Sequence, residues 1–132
     1  MTPPPPSYRR RIRTPDAPAA IGPYCQGVLA GDTLYCSGQI AQDPATGELV
    51  EGDIQDEAAQ VLDNIGAVLH AADMDFAHVV QVTMFLRDMD DYAPVNEVYA
   101  RYFSGAIPAR EALEVGKLPR GARVEMSCIA YR

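Results

Sequence analysis

The residues best suited to chemistry are an arginine and a glutamate near the end of the chain. Arg110 follows Pro108 closely, and Glu125 lies in a run of alternating apolar residues. A guanidinium can bind a carboxylate through two parallel hydrogen bonds, and a carboxylate can orient water or move a proton. The pair would therefore suit a site that holds a small anion and supplies water to it. An ordinary structural ion pair is the alternative, and the pattern alone leaves both open.

Two predicted strands must position this pair. Pro108 ends the preceding helix, and side-chain alternation predicts strands over 110–115 and 123–131. The connection 116–121 has glycine at both ends and is typical of a hairpin. If the strands pair antiparallel, the arginine and the glutamate become cross-strand neighbours on one face of a sheet.

Further candidates lie around an N-terminal hairpin. Two strands join through Gly31-Asp32, which suits a type II′ turn, and closing this turn brings Tyr24 close to Ser37. Tyr24 also ends a loop rich in proline and glycine, where functional residues often lie. Gly38 weakens a strand, so it indicates close approach of a ligand or another backbone, or else a bulge or corner.

The hydrophobic pattern predicts an α+β domain. Two helices cover only one face of a mixed five- or six-stranded sheet, and an exposed apolar face marks an interface, so we expect a homo-oligomer. The predicted strands are 8–13, 24–30, 33–38, 79–86, 110–115 and 123–131; the predicted helices run from a cap at Asp53 to about Asp73 and from a cap at Asp90 or Asp91 to about Phe103. Expected on the exposed face are Tyr35, Phe85, Ile129 and Tyr131, and expected towards the core from the fourth strand are Val80, Val82, Met84 and Leu86.

The charge distribution argues against nucleic-acid binding. The chain has 132 residues and a net charge of −7, yet residues 1–13 hold four arginines and no acid. The remaining 7 basic and 18 acidic residues give the body a balance of −11, which repels phosphates. The run Arg9–Arg13 is either a basic interaction arm or a solvated edge strand. We expect the proline-rich residues 1–7 to be disordered or polyproline-like.

Other features favour a cytoplasmic protein without cofactor or metal. The chain shows neither an apolar run of the ~20 residues that a membrane span needs nor a hydrophobic export signal. Cys25, Cys36 and Cys128 have no paired spacing, so we expect small core residues kept reduced. His70 and His78 belong to no recognisable set of metal ligands.

Several short motifs occur in a fixed order along the chain. They are Ala19-Ala20-Ile21-Gly22-Pro23-Tyr24-Cys25-Gln26-Gly27, Ser37-Gly38-Gln39-Ile40, Leu62-Asp63-Asn64-Ile65, Val95-Asn96, Pro108-Ala109-Arg110 and Val124-Glu125. Together they resemble the RidA (YjgF) family of small cytosolic enamine/imine deaminases. The resemblance covers Ala17–Tyr131 and makes 14–132 one domain, preceded by the tail and basic edge strand of 1–13.

The resemblance implies a chorismate-mutase-like two-layer fold whose sheets form a barrel in a homotrimer, with clefts between subunits. It implies that Arg110 binds a substrate carboxylate and that Glu125 positions water. The implied reaction converts 2-iminobutanoate and 2-iminopropanoate to 2-oxo acids and ammonia. The cleft residues implied are Tyr24, Ser37, Gly38 and Asn96, although the pattern alone favours a surface amide for Asn96.

Two other functions stay open, namely a non-catalytic regulatory trimer that binds small metabolites and, with less support, an endoribonuclease or translation inhibitor. Three departures from the family pattern bear on substrate range. Ala112 replaces a common cysteine, Glu111 replaces a small polar residue, and the segment 104–107 is short.

Overall fold

A computed structural model describes residues 2–132, and these form six strands and two α-helices. The expected tail structure at Met1 lies outside the described residues, and residues 2–6 are exposed without regular structure. The elements are β1 (Arg9–Ile12), β2 (Gly27–Ala30), β3 (Thr33–Gln39), α1 (Ile54–Ala71), β4 (Val79–Leu86), α2 (Tyr92–Tyr102), β5 (Ala109–Glu114) and β6 (Val124–Tyr131). Within residues 2–132, no helix is long and apolar enough to cross a bilayer.

The six strands form one mixed sheet in the order β1-β2-β3-β6-β4-β5. All neighbouring strands are antiparallel except β4 and β5, which are parallel. Each helix joins two strands that run in the same direction. A connection between such strands must cross over the sheet, and here each crossover contains a helix. β6 lies between β3 and β4 and runs against both. The mixed sheet with two helices confirms the predicted α+β class.

The predicted hairpin between the last two strands is wrong. β5 is the edge strand beside β4, and β4 separates it from β6. Since α2 connects β4 to β5, these two strands form a β-α-β unit and pair in parallel. The connection 115–123 then crosses the end of β4, and it is longer than hairpin loops of roughly two to five residues.

The core lies between the two helices and one face of the sheet. Alternate residues of three central strands meet the apolar stripe of α1 there, and the opposite face carries the predicted aromatic patch. On that face Tyr35 is 52% exposed and Tyr131 is 57% exposed, while Phe85 and Ile129 are half-buried. The central core residues include Leu34, Cys36, Val61, Leu62, Ile65, Val68, Val82, Met84, Met126 and Cys128.

One residue of the fourth strand departs from the predicted alternation. Val80 was expected to face the core, yet it is exposed, and Val79 is buried in its place. The pairing of β4 with β6 shifts between Val79 and Gln81, so an irregularity there turns Val80 outward.

The two helices begin differently. Asp53 caps α1 as predicted, because its carboxylate accepts from the N–H of Asp56 at 2.9 Å, while the Asp56 side chain accepts from the N–H of Asp53 at 3.1 Å. The predicted side-chain cap of α2 is wrong, since Asp91 occupies the cap position without a capping hydrogen bond. Asp88 caps the preceding 3-10 turn instead, accepting from the N–H of Asp90 at 2.9 Å.

An ion pair with a buried carboxylate ties the start of α1 to the residue that immediately precedes β6. The Glu57 side chain is 7% exposed and pairs with Arg123, whose Nη2 also donates to the carbonyl of Gly52 at 2.9 Å. The strand that carries Glu125 is thereby anchored at its start.

Replacing Arg123 with alanine should destabilise the protein by about 3 kcal/mol, because a buried carboxylate loses its partner. Urea unfolding followed by circular dichroism measures the change. The exposed pair of Arg120 with Glu48, 3.7 Å apart, provides the control, and Glu48→Gln should cost at most about 1 kcal/mol. Equal small losses in the two variants would contradict the anchoring role.

Candidate functional site

The first part of the candidate site surrounds Arg110 on the helix-covered side of β5. The guanidinium donates from Nη1 to Oδ1 of Asn96 and from Nη2 to Oη of Tyr92, both at 2.7 Å. Its central carbon lies 4.7 Å from the ring centroid of Tyr99 and 5.4 Å from that of Tyr92. We call Tyr92, Asn96, Tyr99 and Arg110 the arginine half-site.

The guanidinium is held entirely by neutral groups. No carboxylate of residues 2–132 lies within 4.0 Å of it, so its charge has no partner in the described chain. Two of its five N–H groups are engaged by Asn96 and Tyr92, which leaves three for a ligand. The alternative of a structural ion pair with Glu125 is therefore wrong within one chain, and the arrangement suits an external anion.

The second part of the site lies on the opposite face of the sheet, around Glu125. An extra residue in β3, between Cys36 and Gln39, shifts its register against β6. This bulge brings Ser37 and Gly38 into a cleft of about 450 Å³ that Tyr24 and Glu125 also line. We call Tyr24, Ser37, Gly38 and Glu125 the glutamate half-site.

The absence of a side chain at Gly38 leaves room for the carboxylate of Glu125. A Cβ built on Gly38 would overlap Oε2 of Glu125 and lie 3.0 Å from its Cδ. The bulge that the sequence left as one alternative is present, and the close neighbour is this carboxylate. Any larger residue would displace the acid from its position.

Glu125 is a carboxylate without a cationic partner. It is half-buried, and burial raises its pKa above the ordinary value for glutamate. No Lys, Arg or His nitrogen of residues 2–132 lies within 4.0 Å of its oxygens. An unpaired carboxylate with a raised pKa is a better proton acceptor than a paired one.

Two buried amides hold the loops that deliver the glutamate half-site. Gln26 accepts from the N–H of Thr14 at 2.7 Å and donates to the carbonyls of Thr14, Ala17 and Pro18 at 3.0, 3.2 and 2.8 Å. This network fixes the loop before Tyr24.

Asn64 of α1 donates to the carbonyls of Ile40 and Gln42 at 3.1 and 2.9 Å, and so fixes the chain that follows the bulge.

The two half-sites do not meet within one chain. Arg110 pairs with Val82 and points to the helix-covered face, whereas Glu125 pairs with Phe85 and points to the opposite face. The predicted cross-strand neighbourhood of the arginine and the glutamate is therefore wrong. The structure does bring Asn96 to Arg110, and it brings Tyr24, Ser37 and Gly38 to Glu125.

Sequence reasoning missed the role of two tyrosines. Helical spacing predicts that Tyr92 and Tyr99 lie on the apolar stripe of the second helix, and both do pack at the core, but their rings also flank the guanidinium of Arg110. Their spacing to Asn96 was the available signal, because residues at i, i+4 and i+7 share one helix face. Along β5, Ala112 lies on the Arg110 side and packs against the core, while Glu111 faces the other way.

Within residues 2–132, no three His, Cys, Asp or Glu side chains are grouped so that they could hold a metal ion. The named side chains offer a cation for an anionic ligand, a carboxylate for water or a proton, and hydroxyl and amide groups for orientation.

Residues 14–132 match the family model described as Endoribonuclease L-PSP. The chain is 52% identical over 124 residues to a 2-iminobutanoate/2-iminopropanoate deaminase of Capra hircus, covering 94% of this chain and 90% of that protein. It is 49% identical over 124 residues to the protein of the same name in Homo sapiens, with the same coverage of each. A crystal structure of E. coli TdcF with bound serine is 39% identical, with a TM-score of 0.89 over 93% of this chain and 98% of that chain.

Replacing Gly38 with alanine should push the Glu125 carboxylate towards solvent. Because burial raises the Glu125 pKa, the variant's pKa should fall towards the ordinary glutamate value, as measured by carbon-13 NMR titration. Gly116→Ala is the matched control, since a Cβ there meets no atom within 4 Å. An unchanged Glu125 pKa in Gly38→Ala would show that the glycine does not set the position of the acid.

Proposed function

We propose, since the chain belongs to the RidA family that the Endoribonuclease L-PSP model describes, that it hydrolyses 2-imino acids and their enamine tautomers to 2-oxo acids and ammonia. Family membership confirms the resemblance drawn from the sequence motifs. Relatives named 2-iminobutanoate/2-iminopropanoate deaminase at 49% to 52% identity support this reaction, with 2-iminobutanoate and 2-iminopropanoate as substrates.

The unneutralised guanidinium of Arg110 is the observation that carries the proposal. A 2-imino acid presents a planar carboxylate next to its C=N bond, and a guanidinium with free N–H groups can bind it through two parallel hydrogen bonds. Asn96 and Tyr92 hold the guanidinium in place from the side. The related E. coli TdcF structure is described as having bound serine, an amino acid whose carboxylate is attached to a nitrogen-bearing carbon, as it is in a 2-imino acid.

Glu125 would position the attacking water and accept its proton. Water adds to the electrophilic imine carbon, the nitrogen takes up protons, and the C–N bond breaks to release ammonia and leave a 2-oxo acid. The raised pKa of Glu125 suits proton transfer, which typically contributes about 10²–10⁴-fold to rate. Ser37, Gly38 and Tyr24 line the same cleft and would border the substrate. This chemistry calls for no cofactor.

The active cleft would form between subunits of a homotrimer. Each chain carries the two half-sites on opposite faces of its sheet, so a second copy is needed to join an arginine half-site to a glutamate half-site. Large exposed apolar residues accompany both, which supports an interface. Ile107 and Leu113 lie near Arg110 in the chain and are 79% and 42% exposed, and Ile21 near Tyr24 is 83% exposed. A barrel formed by the three sheets and a cytoplasmic location belong to the same proposal.

Two other functions are less well supported. A binding trimer without turnover would use Arg110 in the same way but would not need the unpaired carboxylate of Glu125. An endoribonuclease is suggested by the description of the family model, yet the acidic body of residues 14–132 opposes contact with RNA phosphates.

Arg110→Ala and Glu125→Gln should each lower kcat/KM for 2-iminobutanoate generated in situ by at least about 100-fold, because one loses the anion contact and the other the proton acceptor. Arg110→Lys should also lose most activity, since lysine lacks the two-pronged geometry. Ammonia release measures the rate, and Arg101→Ala on the exposed side of α2 is the control. Wild-type protein that leaves the spontaneous rate unchanged would overturn the proposal.

Mixing the two inactive variants tests the shared cleft. In a mixed trimer, a competent site needs Arg110 from a Glu125→Gln subunit beside Glu125 from an Arg110→Ala subunit. Random co-assembly at equal amounts should restore about a quarter of wild-type activity, because each cleft draws on two neighbouring subunits of a ring. Separately purified variants mixed without subunit exchange provide the control. Co-assembled trimers with no recovered activity would place both residues of a site in one chain.

A further inference from the structure

We infer that Tyr92 is an additional substrate-binding residue, whose hydroxyl donates a hydrogen bond to the carboxylate that Arg110 holds. The inference rests on the proposed function and adds one hydrogen-bond donor to the substrate-binding site. The substrate carboxylate would then accept hydrogen bonds from both the Arg110 guanidinium and the Tyr92 phenol, rather than from the guanidinium alone.

The geometry leaves the phenol hydrogen available. Oη of Tyr92 accepts from Nη2 of Arg110 at 2.7 Å, and the ring lies 5.4 Å from the guanidinium carbon. The hydroxyl is thus fixed beside the N–H groups that would grip an anion. Within residues 2–132, the Tyr92 hydroxyl donates to no acceptor, so its hydrogen can reach a ligand bound at the same edge.

The other two tyrosines of α2 are placed differently. Tyr99 offers its ring face to Arg110, and its buried hydroxyl has no hydrogen-bond partner. Tyr102 donates to Oδ1 of Asp63 at 2.8 Å and so serves the contact between the helices. Among these three side chains, Tyr92 combines a half-exposed position, contact with the guanidinium and a free donor.

Neighbouring polar and charged groups make the Tyr92 hydroxyl a stronger hydrogen-bond donor. The Asn96 amide and the positive charge of Arg110 lower the pKa of Tyr92, and a more acidic hydroxyl donates a stronger hydrogen bond. Arg110 on β5 is the charged group that faces it, and Tyr99 is the titratable group on the other side of the same guanidinium. Deprotonation of Tyr92 would remove the donor and place a negative charge beside the arginine, so anion binding should weaken as pH rises.

Calorimetric titration of the full chain with 2-oxobutanoate, the product of 2-iminobutanoate hydrolysis, tests the inference. Tyr92→Phe should weaken binding about tenfold at neutral pH, as expected for a lost hydrogen bond to a charged group. Wild-type affinity should fall with rising pH below the ordinary tyrosine pKa, and Tyr92→Phe should lack this fall. Tyr102→Phe is the matched control, because its hydroxyl contacts Asp63 and its pKa is raised to about 12.

A Tyr92→Phe variant that binds 2-oxobutanoate as tightly as wild-type protein would overturn the inference. So would a variant whose affinity falls with rising pH as the wild-type affinity does. The alkaline fall in wild-type protein needs no variant, so the test survives a variant that folds poorly, and thermal unfolding checks folding of both. If wild-type protein binds the product and releases ammonia while Tyr92→Phe is unchanged, only the inference fails. If wild-type protein does neither, the proposed function fails with it.

Discussion

The positive charge of Arg110 has no counter-charge in its own chain, and the organisation of the site depends on that fact. Neutral groups orient the guanidinium: an amide oxygen and a phenol oxygen each at 2.7 Å, and two aromatic rings. A carboxylate in their place would have consumed the binding capacity of the arginine, since ion pairs with Arg satisfy its fork of donors. The helix α2 therefore supports a guanidinium that keeps free donors, as the proposed binding of a substrate carboxylate requires.

The topology of the sheet decides how this cation relates to the acid. β6 lies between β3 and β4, so Glu125 occupies a central strand, whereas Arg110 occupies the edge strand β5. Their side chains point to opposite faces. A chain built in this way carries two complementary half-sites that cannot combine by themselves, and the proposed trimer supplies the missing juxtaposition. In that proposal, the need for assembly and the composition of the cleft both follow from the same strand order.

Local irregularities adapt regular elements to the site. The bulge in β3 adds one residue at Ser37 and Gly38, and the missing Cβ of the glycine leaves room for the Glu125 carboxylate. Buried amides fix the loops on either side. Gln26 forms hydrogen bonds with backbone groups of the loop before Tyr24, and Asn64 donates to backbone carbonyls after the bulge. Buried polar groups of this kind are costly unless fully bonded, so they specify one loop conformation.

The sequence by itself determined the elements that depend on local pattern. Hydrophobic alternation located β4 and β6, the apolar stripe and the cap residue Asp53 located α1, and the motifs pointed to Arg110, Glu125 and Asn96. Only the tertiary structure decided which strands pair, because strand partners depend on contacts distant in the chain rather than on neighbouring residues. That is why the hairpin prediction was wrong, why Arg110 and Glu125 lie on opposite faces, and why Tyr92 and Tyr99 turned out to flank a guanidinium.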